Sequence, residues 1–434
     1  MRVLPRGAWW LVLLVALPVC QVKGAPSGAE EAFVQDLARR AFLFFWEQAD
    51  PHTGLVRDRA RADGGAETRD IASIAATGFG LTALCIGAEN GWITRAQAEE
   101  RVLATLDFLA RRLPREHGWY YHFVDAKTGE RRWQSEVSSI DTALLLAGIL
   151  TAREYFGEDS RIGRLAESIY EGVDFPWMLN GDPRLLSHGW KPESGFIKNR
   201  WDAYCEHAIL YLLAIGSPRH AIPAESWYAW RRPHVRYRGY DFISGAPLFS
   251  HQYSHAWVDF RNRREDRGAH TDWFENSVIA TRAHRAFCID LRKQFPDYGP
   301  NAWGITASDS AKGYLAWGGP PMDPQIDGTL APCAPGGSLM FTPKIALQAL
   351  MRMRGMLGGA VYRHYGFVDA FNPLTKWIDP DVIGIDVGIT LLSAGNMRSG
   401  VVWRWFMRDG SIQAALEKAG MRLSPLPRRH GGSP

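Results

Sequence analysis

The chain has 434 residues, enough for one large core or two ordinary domains, and 46% of them are hydrophobic and 22% charged. That balance excludes a disordered tail protein and a multi-pass membrane protein. The formal charge of +4 moves closer to neutral if an N-terminal segment carrying Arg2, Arg6 and Lys23 is removed, so nothing points to a nucleic-acid partner.

Residues 1–24 read as a signal peptide. Arg2 and Arg6 form a basic start, Trp9 to Val19 is an apolar run of roughly 7–15 residues, and Val22-Lys23-Gly24 offers a cleavage site. The run is short for a membrane span, and no second one of about 18 residues follows. A periplasmic or secreted protein is expected. Leu17-Pro18-Val19-Cys20 faintly resembles a lipoprotein cleavage box, but Pro and Val stand where smaller residues are preferred, so an anchor at Cys20 is the lesser reading.

From residue 30 the pattern is helix after helix. Phe33–Gln48 spaces Leu37, Ala41, Phe44 and Phe45 along one face, and Ile71–Ala88 is small and apolar until Asn90-Gly91. Gly118–Val124, followed by Lys127-Thr128-Gly129, reads as a small hairpin. Thr94 caps a helix with Val102, Leu103, Leu106 and Leu109 on one side. Ser138–Phe156, Ile162–Leu179, Ala203–Ile215, Ser254–Arg264, Trp273–Gln294, Pro343–Leu357, Asp386–Ser393 and Gly410–Ala419 continue the series. No βαβ alternation and no linker interrupts it, which predicts one all-α domain over residues 30–425 and a flexible tail at 426–434. Some helices are amphipathic and others, such as the one opened by Asp141, are apolar all round and must be buried on every side. Alternation of the two kinds is what an (α/α)6 toroid, a double ring of helices, requires.

The 18 Trp, 14 Tyr and 20 Phe fit either a Trp-rich core or aromatic platforms for sugar rings. Carboxylates open several apolar helices: Asp141, Glu206 and Asp386. Asp at such a place is ordinarily a cap, favoured by unpaired N–H groups and the helix dipole. Glu is a poor cap, and Glu206 follows Trp201-Asp202-Ala203-Tyr204-Cys205, an apolar setting that raises a carboxyl pKa and suits a general acid. Asp386, between glycines, suits the ionised partner. His251 and His255 have i, i+4 spacing, but Gln252 stands where a zinc protease needs Glu, so hydrogen bonding to a hydroxylated ligand is the better functional reading. No phosphate loop or Gly-x-Ser-x-Gly elbow is present, and no metal or cofactor is expected. Cys85, Cys205, Cys288 and Cys333 are far apart without a C-x-x-C pair and read as buried free thiols.

Tyr204-Cys205-Glu206-His207-Ala208-Ile209-Leu210-Tyr211-Leu212-Leu213-Ala214 resembles a hallmark of the bacterial glucoamylase-like domain family, which includes endo-β-1,2-glucanases. Further blocks in order are Ser138–Leu145, Leu248–His255, Trp303–Asp309, Tyr365–Pro373, Gly384–Asp386 and Gly400–Arg404. The resemblance implies an (α/α)6 toroid and inverting hydrolysis of a β-glucan, most plausibly β-1,2-glucan. It implies Glu206 as general acid; Asp386 is the chosen base, with Asp369 and Asp141 behind it. In an inverting pair the carboxyls stand about 6.5–9.5 Å apart, in a retaining pair roughly 5–5.5 Å. Trp190, Trp201, Tyr204, His251, Tyr253, His255, Trp303, Asp309 and Trp317 are the candidate substrate-binding residues, and a monomer acting on an oligo- or polysaccharide is expected. Two alternatives stand beside this reading. One is a carbohydrate-binding protein without catalysis on the same scaffold. The other is a polysaccharide lyase using Tyr253 with His251 or His255.

Overall fold

The computed structural model describes residues 28–245 and 247–423. The expected signal peptide, Cys20 and the tail at 426–434 lie outside the described residues. The described chain is mostly helical, with short antiparallel strand pairs in its loops. No described helix is long and apolar enough to cross a membrane.

The helices are α1 (Gly28–Glu47), α2 (Ile74–Glu89), α3 (Arg95–Arg111), α4 (Ser139–Phe156), α5 (Arg161–Glu171), α6 (Phe175–Leu179) and α7 (Ala208–Gly216). They continue as α8 (Tyr253–Trp257), α9 (Trp273–Leu291), α10 (Cys333–Gly337), α11 (Pro343–Arg354), α12 (Gly384–Ser399), α13 (Val401–Phe406) and α14 (Gly410–Lys418). Side-chain caps start many of them by satisfying orphan N–H groups. Thr94 and Gln97 form a reciprocal capping box at α3, Ser138 accepts from Asp141 N at α4, and Asp272 accepts from Glu275 N at α9.

Helices α2, α4, α7 and α12 are buried along nearly their whole length. Burial of side chains such as Leu145, Leu210 and Leu392 contributes about 1.5–3 kcal/mol each relative to exposure. Amphipathic helices cover them: α1 packs on α12 and α2, α3 on α2, α5 on α4, and α14 on α7. Helices α2 and α4 approach backbone to backbone. A Cβ on Gly78 would lie 2.3 Å from the Leu144 carbonyl oxygen, and one on Gly148 2.0 Å from that of Gly78.

Several boundaries differ from the sequence expectation. Ile71–Ser73 is a strand paired with Phe123–Asp125, and Ser73 then caps α2. The expected hairpin forms around Lys127-Thr128-Gly129, with Val124 bridged to Arg131, and another precedes it: Arg115–Glu116 pairs with Trp119–Tyr120 around His117-Gly118, both at positive φ, which a tight two-residue turn requires. Ile162–Leu179 is two helices, because α5 ends at Gly172 and Asp174 caps α6. Helix α8 stops at Trp257, and residues 203–207 are loop, so Glu206 precedes α7 and is not inside it. The four cysteines are free thiols, and Cys85, Cys288 and Cys333 are buried.

Candidate active site

The N-terminal ends of the four buried helices converge on one cavity of about 470 Å³. Ser73 comes from the start of α2, Ile140, Asp141 and Leu144 from α4, Glu206 from the turn before α7, and Ile383 and Ile385 from the start of α12. Loops and short strands add Asp58, Arg59, His122, Phe123, Trp133, Phe249, Tyr253 and Tyr314. Helix N-termini favour anionic side chains, which is one reason this end of the molecule carries acids. The lining joins three carboxylates to aromatic faces, the combination a sugar-binding cleft uses.

Burial around Glu206 raises its pKa; the Cys205 thiol, which donates to Glu206 Oε2, opposes that rise, and the nearby Asp141 charge adds to it. Ser254 Oγ fixes the turn by donating to the Glu206 carbonyl at 2.5 Å while accepting from Ile209 N at 3.0 Å. Asp141 accepts from Ser138 Oγ at 2.5 Å and has His122 Nε2 at 3.5 Å. His122 Nδ1 bonds Glu136 Oε1 at 3.1 Å. Burial would lower the His122 pKa, but Asp141 and Glu136 on either side outweigh it and raise the value. His122 thus lies between two acids that favour its charged form. Burial raises the pKa of Asp58, which Arg59 Nε contacts at 3.2 Å.

Of the catalytic candidates, Glu206 and Asp141 share this cavity. Asp386 is not among the residues that line it, although its charge acts on Tyr253 and Tyr314, which do. Asp386 is 5% exposed. It meets Asp369 and Cys333 at a separate cavity of about 20 Å³. Asp369 is 4% exposed beside it and lines that same small space.

The substrate-binding candidates divide in the same way. Tyr253 lines the main cavity. Trp201 and Tyr204, with Cys205, line a second hollow of about 560 Å³ that also holds His188, Arg200 and Asp202. Trp190 packs on Trp177 and reaches neither hollow. His251 bonds Tyr204 and Ser244, and His255 bonds Ser277; both are buried, and burial lowers each pKa to about 3. Neither lines the main cavity. Trp303 and Trp317 are core residues, and Asp309 is buried on Arg59, with Nη1 2.7 Å from Oδ2.

Sequence reasoning missed Asp58, Arg59, His122, Phe123, Trp133, Phe249 and Tyr314. Trp133 is the informative omission. Trp133 and Gln134 both adopt left-handed φ, 53° and 48°, and this turn leaves the indole 65% exposed on the cavity rim. His207, beside the acid, has no hydrogen-bond partner on either ring nitrogen and sits among Trp201, Tyr211 and Trp230, where burial lowers its pKa to about 3.

Comparison with known proteins agrees with this architecture. The chain aligns with an endo-β-1,2-glucanase from Chitinophaga pinensis, solved with sophorotriose and glucose, at a TM-score of 0.84 and 29% identity over 92% of this chain and 99% of that one. A β-1,2-glucanase from Parabacteroides distasonis aligns at 0.83 and 26% identity, covering 91% of this chain and 60% of that one. These similarities define a glucoamylase-like helical domain. Residues 198–410, just under half of the chain, match the Glycoamylase family model. It is also 28% identical over 423 residues to an exo-β-1,2-glucooligosaccharide sophorohydrolase (non-reducing end) of Parabacteroides distasonis. That match covers 88% of this chain and 57% of the relative's length.

Proposed function

We propose that this protein is an exported glycoside hydrolase that cleaves β-1,2-glucan, on an (α/α)6 scaffold in which α2, α4, α7 and α12 belong to the inner ring. The observation that carries the reading is Glu206, a carboxyl whose pKa is raised by burial, opening onto a 470 Å³ cavity with aromatic walls and two further acids. The β-1,2-glucan-degrading relatives support the linkage.

In this mechanism Glu206 protonates the departing glycosidic oxygen, a role that burial favours by raising its pKa. The second carboxylate is drawn from the same cavity, and Asp141 fits best. It is the acid whose charge acts on Glu206, and Ser138 and the His122–Glu136 pair fix its orientation. Asp141 takes a proton from the attacking water, and Asp58 is the neighbouring acid against which that role is tested. Trp133 offers an exposed face to a sugar ring at the rim, and Arg59 offers donors to its hydroxyls. The hollow behind Cys205, walled by Trp201 and Tyr204, receives sugar units on the other side of the scissile bond.

The lyase reading loses its histidines to the core, as His251 and His255 are hydrogen-bonded away from the cavity. Incubation of the purified protein with β-1,2-, β-1,3- and β-1,4-glucans and starch, followed by chromatography, tests the proposal. New reducing ends from β-1,2-glucan are expected, and they fall by about 10²-fold or more in Asp141→Asn and less in Asp58→Asn. Saturable glucan binding without product marks a binding protein and refutes it.

A further inference from the structure

Behind the cavity wall lies a group of acids that the hydrolytic mechanism does not use. Asp309, Asp369, Asp379 and Asp386 are 8%, 4%, 3% and 5% exposed. One carboxylate oxygen from each of Asp309, Asp369 and Asp379 lies within 4.8 Å of the others. Part of the group's hydrogen-bonding capacity is spent on the backbone: Asp309 N donates to Asp369 Oδ2 at 2.8 Å, and Asp381 N to Asp379 Oδ1 at 3.0 Å. The rest is not. Asp369 Oδ1, Asp379 Oδ2 and Asp386 Oδ2 are buried without a hydrogen-bond partner.

These carboxyls face one another: Asp369 opposes Asp386, and Asp379 opposes Asp309. Two acceptors cannot satisfy each other, so a proton or a cation must stand between them. Arg59, on Asp309, is the guanidinium at this cluster, and one positive charge does not balance four buried acids. Three acids meeting at one point, with buried carboxylate oxygens still unpartnered, can take a single cation in place of shared protons.

We propose that Asp309, Asp369 and Asp379 bind one divalent cation of calcium type, with Asp386 completing the charge around it. The donors are all oxygen, as a hard cation requires. A buried site lined wholly by protein carboxylates suits calcium better than magnesium, which dehydrates reluctantly and usually keeps several waters. The ion ties the segment around Asp309 to the hairpin strands Phe371–Asn372 and Trp377–Ile378, whose flanks carry Asp369 and Asp379. Through Asp309 it also fixes Arg59, and with it one wall of the cavity. His122, Glu136 and Asp141 form a second such cluster, but there the imidazole itself lies between the two acids.

The test uses the whole purified protein, stripped with chelator and dialysed, and does not depend on activity. Calorimetric titration with CaCl2 is expected to give one site per chain, and the Tm is expected to rise with calcium well above any rise given by MgCl2. Asp379→Asn loses the calcium-dependent rise, and Glu136→Gln keeps it. If Asp379→Asn does not fold, the wild-type titration decides alone. Absence of binding heat and of a Tm shift up to millimolar calcium overturns the proposal, as does loss of the response in Glu136→Gln.

Discussion

Replacing Glu206 by Gln removes one proton and changes little else. The carbonyl of the new amide can still accept from the Cys205 thiol, and Ser254 still holds the backbone carbonyl of the turn. Burial raises the Glu206 pKa in the folded state, so the ionised form costs stability. That cost begins above the unfolded pKa and grows as pH rises toward the folded one. The neutral amide removes it, and the variant should melt no lower than the parent at pH 7. Turnover is another matter. General acid catalysis is worth about 10²–10⁴ in rate, or about 2.7–5.4 kcal/mol of barrier, and the amide cannot supply it. The assay is release of reducing ends from β-1,2-glucan beside a thermal melt. Substrates with an acidic phenol as leaving group need no proton and should lose far less. A Glu206→Gln enzyme with near-normal turnover on β-1,2-glucan refutes the reasoning, as does an equal loss on both substrate types.

Other consequences follow from the same geometry. The Cys205 thiol lowers the Glu206 pKa against the effect of burial, so Cys205→Ala should move the alkaline limb of kcat/KM to higher pH, read from a pH–rate profile. Trp133→Ala should raise KM for glucan with little change in Tm, because the indole is 65% exposed. Away from the site, the fully buried Glu265 carboxylate accepts from Trp227 Nε1 at 2.7 Å, Trp273 Nε1 at 3.1 Å and Arg232 at 2.9 Å. Glu265→Ala strands Arg232 and two indole N–H groups, and should cost about 3–5 kcal/mol in a denaturant melt.

The helices were legible because burial writes itself into sequence as periodicity. Helices α2, α4, α7 and α12 announce themselves as apolar strings, and Thr94 with Gln97 marks the start of α3. Breaks within such strings were not, since Gly172 and Asp174 divide α5 from α6 by local capping that leaves hydrophobic spacing intact. The rule that acids open buried helices located Glu206 and Asp141 correctly on one cavity. It did not say which space Asp386 would line, because position in a first turn does not fix which way a side chain rotates; Ile383 and Ile385 line the main cavity, and Asp386 lines the small one. Asp58, Arg59, His122 and Trp133 come from loops and two- or three-residue strands brought together by tertiary packing, and no spacing rule reaches them. The tryptophan excess proved mainly to be core: Trp119, Trp227, Trp230, Trp257, Trp303 and Trp317 are fully buried.

The most direct measurement is a crystal structure of the Glu206→Gln variant soaked with a β-1,2-linked glucooligosaccharide. A glycosidic oxygen within about 3.2 Å of the side chain at position 206, with sugar rings on both sides of it, is the expected result. Sugar bound elsewhere, or a bridging oxygen out of reach of that side chain, contradicts the assignment of this cavity as the place where the bond is cut.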